Sequence, residues 1–288
     1  MKRRSAPSLS KSRPPNPTAK KSAREGWQGW DTYAPFYDWE NAQTLGRRDV
    51  PFWRRVASTA GGPVLELGCG TGRVSLPLAR AGVALVGIDR SDPMLARARA
   101  RAARASRSAA TGRSATARRH RLNLVRGDIR ALPFEAGAFS MVLAPYGILQ
   151  SLIRPRDLTS TLASVARVLA PGGTFGIDLV PDVPKWREYR NRVQMRGRAG
   201  GADITLVESV SQDRAKRLTT FEQRYIRRRG GRTTEHAFDL TFRTLSVPQM
   251  TRQLNRAGFT VEAVLGDYQG HAWDDRADVW ILLARKRS

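Results

Sequence analysis

The sequence predicts a doubly wound α/β protein, a mostly parallel sheet covered by helices, with a separate antiparallel sheet inserted late in the chain. Three observations carry this. Residues 64–72, Val-Leu-Glu-Leu-Gly-Cys-Gly-Thr-Gly, run from a short apolar strand into three alternating glycines, and Val74, Leu76 and Leu78 open a helix behind them. About twenty residues further on, as a nucleotide-binding βαβ unit requires, a second apolar strand ends in Asp89. Between Pro181 and Leu245 the pattern changes to imperfect alternation over 203–211, 216–228 and 232–243, broken by Gln-Asp-Arg and Gly-Gly turns, which reads as a meander.

Taken in order, residues 26–60 form a helical cap rich in aromatics, with Trp27, Trp30, Tyr33, Phe36, Tyr37 and Trp39 ahead of Pro51-Phe52-Trp53. The glycine turn follows. Gly68, Gly70 and Gly72 let the backbone bend and approach a ligand, and the next helix points its N-terminus there. A dinucleotide fingerprint would place its third glycine at position 73, where this chain has Arg73. The preceding Glu66 suits a ligand carrying an ammonium and a sulfonium better than a pyrophosphate. Asp89 is placed to hold both ribose hydroxyls.

Asp92-Pro93 reads as an N-cap followed by proline at the first helical position, so a helix starts there. It runs into an Arg/Ala and Ser/Thr/Gly stretch over 97–121 that reads as an insertion, either a solvated extension or an anionic docking surface. Leu122 to Gly127 and Met141 to Ala144 are the third and fourth strands. Leu158, Leu162, Val165 and Leu169 recur at helical spacing until Pro171-Gly172-Gly173 ends that helix before a strand at 174–179. Ser246 with Gln249 forms a capping box for a helix ending at Gly258, and strands at 260–266 and 278–284 complete the sheet.

The organisation expected is therefore a basic tail over 1–25, the cap over 26–60, a cofactor-binding core over 61–180, the β subdomain over 181–245 and a closing segment over 246–288. The formal charge of +25 is concentrated: 1–24 carries +8, 97–121 carries +9 and 185–232 carries +9, so the scaffold is near neutral. The tail has too few large apolar residues for a secretory signal. No apolar run is long enough to span a membrane. Cys69 is the single cysteine, so no internal disulfide forms, which fits a cytoplasmic setting. Cys69, His120 and His236 have no metal-ligand spacing, and no metal is expected.

With these motifs in hand, the chain from about Tyr33 to Arg287 resembles the class I S-adenosylmethionine-dependent methyltransferases, and within them the bacterial small-molecule enzymes. Val64 to Arg73 is similar to the family's first motif, Gly87 to Leu95 to its second strand and helix start, and Arg126 to Phe134 to its third element. Phe139 to Leu152 is similar to the fourth strand and substrate-facing loop, and Pro171 to Asp178 to the turn into the fifth strand. The resemblance implies a Rossmann-like seven-stranded sheet with one antiparallel edge strand, and S-adenosyl-L-methionine as cofactor. It implies that Glu66, Gly68, Gly70 and Gly72 hold the methionine end, Asp89 the ribose, and Asp128, the Ile129 amide and Met94 the adenine. Ala144 belongs to the same cofactor set. The segment Tyr33-Ala-Pro-Phe-Tyr37-Asp resembles a motif whose tyrosine closes over the cofactor, so Tyr37 is included.

The substrate loop Ala144 to Leu152 departs from the pattern, with Gly147 and Ser151 where related enzymes carry Asn and His. Tyr146 and His271 are the candidate catalytic residues, although a surface turn is the plainer account of His271. The function expected is methyl transfer to a nitrogen or oxygen of a small-molecule acceptor, by a monomer or homodimer. Two alternatives stand beside it. One is an RNA or other nucleic-acid methyltransferase docked through the basic segments, although the Asn/Asp-Pro-Pro-aromatic signature is absent and weak nucleic-acid binding without methylation is expected instead. The other is a cofactor-binding protein without catalysis.

Overall fold

A computed structural model of the chain describes residues 29–44, 48–110, 122–180, 188–274, 276–277 and 279–288. The predicted tail over 1–25 and the second half of the predicted insertion, 111–121, lie outside the described residues. Alternating strands and amphipathic helices build a seven-stranded sheet from β1 (Val64–Leu67), β2 (Leu85–Asp89), β3 (Leu122–Arg126), β4 (Phe139–Ala144), β5 (Leu169–Leu179), β10 (Phe259–Leu265) and β11 (Trp280–Lys286). Their order across the sheet is β10-β11-β5-β4-β1-β2-β3. Every neighbouring pair from β5 to β3 is parallel, while β11 runs against both β5 and β10, so the reversed strand lies next to the edge.

Helices α2 (Val50–Ser58) and α3 (Ser75–Arg80) cover one face, and α5 (Pro155–Val168) and α6 (Val247–Arg256) the other. The central parallel strands β1 and β4 are buried on both sides, which explains their near-continuous apolar runs rather than alternation, whereas the edge strand β3 stays partly exposed. Trp53 on α2 is fully buried, packs edge-to-face on Phe52 at 5.0 Å, and lies 2.9 Å from where a side chain at Gly176 would start. Trp53→Ala is expected to cost about 3–5 kcal/mol in urea unfolding. A loss below about 1 kcal/mol would remove Trp53 from the core account. Trp53→Phe should cost less than Ala, because the buried indole N–H has no acceptor among the described residues.

The second sheet contains β6 (Tyr189–Ala199), β7 (Ala202–Asp213), β8 (Leu218–Arg229) and β9 (Arg232–Arg243), all antiparallel and in chain order. The meander is thus one strand longer than the alternation indicates. Strand β6 reads Tyr-Arg-Asn-Arg-Val-Gln-Met-Arg-Gly-Arg-Ala and is mostly exposed, because it is an edge strand and arginines there protect its free backbone groups. The apolar face of this sheet, mainly from β7, β8 and β9, packs on α1 (Trp30–Gln43). Phe36 stacks on Tyr225 at 4.1 Å, and the hydroxyls of Tyr33 and Tyr225 both donate to Glu40, whose carboxyl burial lifts above its ordinary range.

Two boundaries move for local reasons. Helix α4 (Asp92–Ala110) is capped by Ser91, not Asp92. The Ser91 hydroxyl accepts from the Met94 N–H at 3.3 Å, and Asp92, one residue inside, pairs with Arg126 at 2.7 Å. Strand β5 takes in Pro171-Gly172-Gly173, which the sequence reads as a turn. Leu169 pairs with Phe139 and Thr174 with Met141, so the proline and glycines bulge out of a ladder that resumes at the predicted start. The capping box at Ser246 and Gln249 forms as expected, with Gly258 at φ +91° just past the helix.

Candidate functional site

Strand β1 ends at Leu67 and the chain then turns through Gly68, Gly70 and Gly72, with φ of +61°, +52° and +77°. A side chain at Gly68 would begin 2.5 Å from Ile148, so this turn needs glycine both for its left-handed backbone and for close packing. Parallel pairing with β2 brings Asp89 beside the turn. Its Oδ2 accepts the Gly70 N–H at 2.8 Å and its Oδ1 accepts the Ser91 N–H at 2.8 Å. Burial lifts the Asp89 carboxyl, and the Ser91 and Gly70 amides oppose that rise.

A cavity of about 260 Å³ opens at the carboxyl ends of these strands. Of the residues singled out in the sequence, Tyr37, Gly68, Gly70, Asp89, Met94, Asp128, Ile129 and Tyr146 line it together. Asp128 receives the Arg130 guanidinium at 2.7 Å and its backbone N–H at 2.9 Å. Partial burial works against ionisation there, but the Arg130 hydrogen bonds hold the carboxyl below its ordinary value. Burial pushes the Tyr37 hydroxyl up.

Four expected residues are not on the cavity wall. Glu66 is buried behind the turn and accepts the Ser75 hydroxyl, and burial lifts its carboxyl to about 8. Gly72 faces inward, where a side chain would start 3.1 Å from Leu76. Ala144 is fully buried in β4. His271 is held away: its side chain is 79% exposed and Nδ1 lies 2.5 Å from Asp267, whose other oxygen accepts three successive amides of the same turn. That turn geometry accounts for the histidine without any role in the cavity.

The sequence reading missed others that do line it. Trp30 and Asp31 come from the start of α1 and Phe242 from the end of β9, so the inserted sheet reaches the cavity directly. Trp30 and Phe242 meet edge-to-face at 6.2 Å. No local pattern marks Phe242, because its role follows from how the sheet docks. Arg73, noted in the sequence for not being glycine, is buried and makes a bidentate pair with Asp49 at 2.5 and 2.8 Å. Its guanidinium lies 4.8 Å over the Tyr146 ring.

An adenosyl group fits these walls. The glycine turn leaves backbone within reach, Asp89 ends a strand with lone pairs beyond those its two amides use, and Met94 and Ile129 offer apolar faces. Among the described residues no three His, Cys, Asp or Glu side chains group to hold a metal, and no helix is long and apolar enough to cross a membrane.

Known proteins bear on this geometry. A family model describing a methyltransferase domain matches residues 64–173. A demethylmenaquinone methyltransferase of Thermus thermophilus is 34% identical over 173 residues, which are 56% of this chain and 70% of that protein. One from Paenarthrobacter aurescens is 32% identical over 58% of this chain, and the chain spans 60% of its length. The solved CcbJ methyltransferase from Streptomyces caelestis superposes with a TM-score of 0.71 at 24% identity, covering 90% of this chain and 97% of that one. That likeness establishes the fold over both sheets.

Proposed function

The chain belongs to the class I S-adenosylmethionine-dependent methyltransferases, and from that premise we propose that it moves a methyl group from S-adenosylmethionine to a nitrogen or oxygen of a small-molecule acceptor. The observation that carries this reading is the shared cavity. Predicted cofactor residues Gly68, Gly70, Asp89, Met94, Asp128 and Ile129 line the same space as Tyr146, Ser151 and Leu152 of the substrate loop and Phe242 of the second sheet. The stretch like the menaquinone enzymes covers just over half of the chain, whereas the likeness to CcbJ covers 90% of it, and the second sheet brings Phe242 to the cavity wall.

In this reading Asp89 holds the ribose hydroxyls, Asp128 and the Ile129 amide hold the adenine edge, Met94 packs on its face, and Gly68 and Gly70 offer backbone at the methionine end. Glu66 acts from behind the turn as a buried acid, and Tyr37 closes the cavity from α1. The cofactor, when bound, supplies a methyl group on a sulfonium leaving group. What the chain contributes is alignment and exclusion of water, and orientation of this kind is worth on the order of 7–11 kcal/mol of barrier. Tyr146 keeps its proton at neutral pH, because a phenol ionises only near 10 and its surroundings here raise that further. It therefore serves as a neutral hydrogen-bond donor, and an amine acceptor loses its proton to solvent.

The test is transfer of isotope-labelled methyl from S-adenosylmethionine into a whole-cell extract separated into small metabolites, protein and nucleic acid. Label in small metabolites supports the proposal, and label confined to nucleic acid overturns it. The basic segments are assigned a separate property. On α4, Arg97, Arg99, Arg104 and Arg107 join Arg101, which is tied to Asp38 at 2.8 Å. The full chain should bind RNA weakly and lose about tenfold or more of that affinity between 50 and 200 mM salt in an anisotropy titration. Consumption of cofactor that depends on RNA would contradict binding without methylation. The single buried Cys69 fits a cytoplasmic enzyme.

A further inference from the structure

Tyr146 sits on the cavity wall with φ of +61°, in the left-handed region that side chains other than glycine rarely adopt, and Gly147 follows at +64°. A side chain in that region is strained, so something outside the loop must hold it. Three contacts do so, two of them anchored at the end of β5 and one at the Asp49–Arg73 pair. Asp178, 1% exposed near the end of β5, accepts the Gly147 N–H at 2.8 Å on Oδ1 and the Tyr268 hydroxyl at 2.9 Å on Oδ2. Gln150 bonds the Val180 backbone twice, its Nε2 donating at 3.0 Å and its Oε1 accepting at 2.8 Å. The Asp49–Arg73 pair lays its guanidinium on the Tyr146 ring.

Strained backbone that is held by buried polar groups of several elements is a feature of sites that must present a side chain in one orientation. None of these contacts is needed to close the sheet, since β4 and β5 already pair through Leu143–Gly176 and Ala144–Ile177. Resting on the cofactor assignment above, we infer that Asp178 is a positioning residue which, with Arg73, holds the ring of Tyr146 against the cofactor side of the cavity. Arg73 immediately follows the glycine turn, so the same contact joins the cofactor turn to the substrate loop. An arginine is required there because its planar fork meets Asp49 through two bonds and presents a flat face to the ring, which a lysine does not.

The test is a cycle of full-length variants read by calorimetric affinity for S-adenosylhomocysteine, with hydrogen exchange of 145–151 as a second readout. Tyr146→Ala and Asp178→Ala should each weaken binding about tenfold, and the double variant should be no weaker than Tyr146→Ala alone. Asp178→Ala should also lose exchange protection in 145–151 while β1 and β4 keep theirs. Asp178→Asn, which still accepts the Gly147 N–H, should restore affinity to within about twofold. Arg73→Lys should weaken binding without further loss when combined with Tyr146→Ala, and it carries the test if Asp178→Ala does not fold. Additive losses would overturn the inference. So would an Asp178→Ala variant that melts earlier but binds as tightly as the parent, or a Tyr146→Ala variant with unchanged affinity. Failure of the parent protein to bind at all would instead strike the cofactor assignment.

Discussion

Asp89→Ala should lower affinity for S-adenosylmethionine about 100-fold, since two hydrogen bonds to a charged acceptor at roughly 1.5 kcal/mol each amount to about 3 kcal/mol. The same carboxylate organises the turn by receiving the Gly70 and Ser91 amides, so its removal also loosens the backbone that faces the cofactor. Asp89→Asn keeps an acceptor for one amide and should fall between. Calorimetric titration of the three proteins measures this directly. Unchanged affinity in the alanine variant would withdraw the cofactor assignment, and the labelled-methyl result would need another explanation.

Stability should fall as pH rises from about 4.5 to 8, which is opposite to the behaviour of surface carboxylates that gain a partner on folding. Burial lifts the Glu66 carboxyl to about 8 and that of Asp178 to about 6. Glu66 faces Ser75 and Arg73, which favour its charge, and Asp49 and Asp89, which oppose it. Asp178 faces Gly147, Tyr268 and Arg73 on the favourable side and Asp49 on the other. Between the unfolded values near 4 and these raised ones the native chain holds more protons than the unfolded chain, so each step up in pH favours unfolding. For Glu66 the full effect is on the order of 4 kcal/mol. Glu66→Gln, which cannot ionise, should flatten most of that slope and be the more stable protein at pH 8. Urea unfolding from pH 5 to 8.5 decides it, and parallel curves for parent and variant would refute the buried-acid account.

Much of this architecture was legible because it is written locally. The glycine turn, Asp89 at a strand end and the Ser246–Gln249 box each depend on residues within a few positions of one another, and each forms as read. That Gly68, Gly70, Asp89 and Asp128 would share one cavity was legible from topology, since parallel pairing of β1, β2 and β3 brings their carboxyl ends together. Strand β6 was not, because an edge strand with arginines on it has no apolar alternation to detect. Phe242, Asp178 and Tyr268 were not, because their contacts join positions far apart in the chain and no spacing encodes them. For His271 the plainer account, a surface turn, matches the Asp267 contacts that hold it away from the cavity. The Ser91 cap, one residue from the expected one, shows how two adjacent polar residues leave a helix start ambiguous to sequence alone.

The place of β11 between β5 and β10 has a consequence for how the chain is made. Strand β5 must wait for its outer neighbour until residues about a hundred positions later have left the ribosome, an interval on the order of 5–20 s at ordinary elongation rates. Throughout it the backbone edge of β5, with Phe175, Ile177 and Leu179 that end up fully buried, is open to pairing with another nascent chain. The second sheet, whose strands pair only with their neighbours in sequence, can form during that interval. Translation order therefore puts the vulnerable moment of this protein in its nucleotide-binding half, and a chaperone that shields β5 should raise its soluble yield more than one acting on the completed chain.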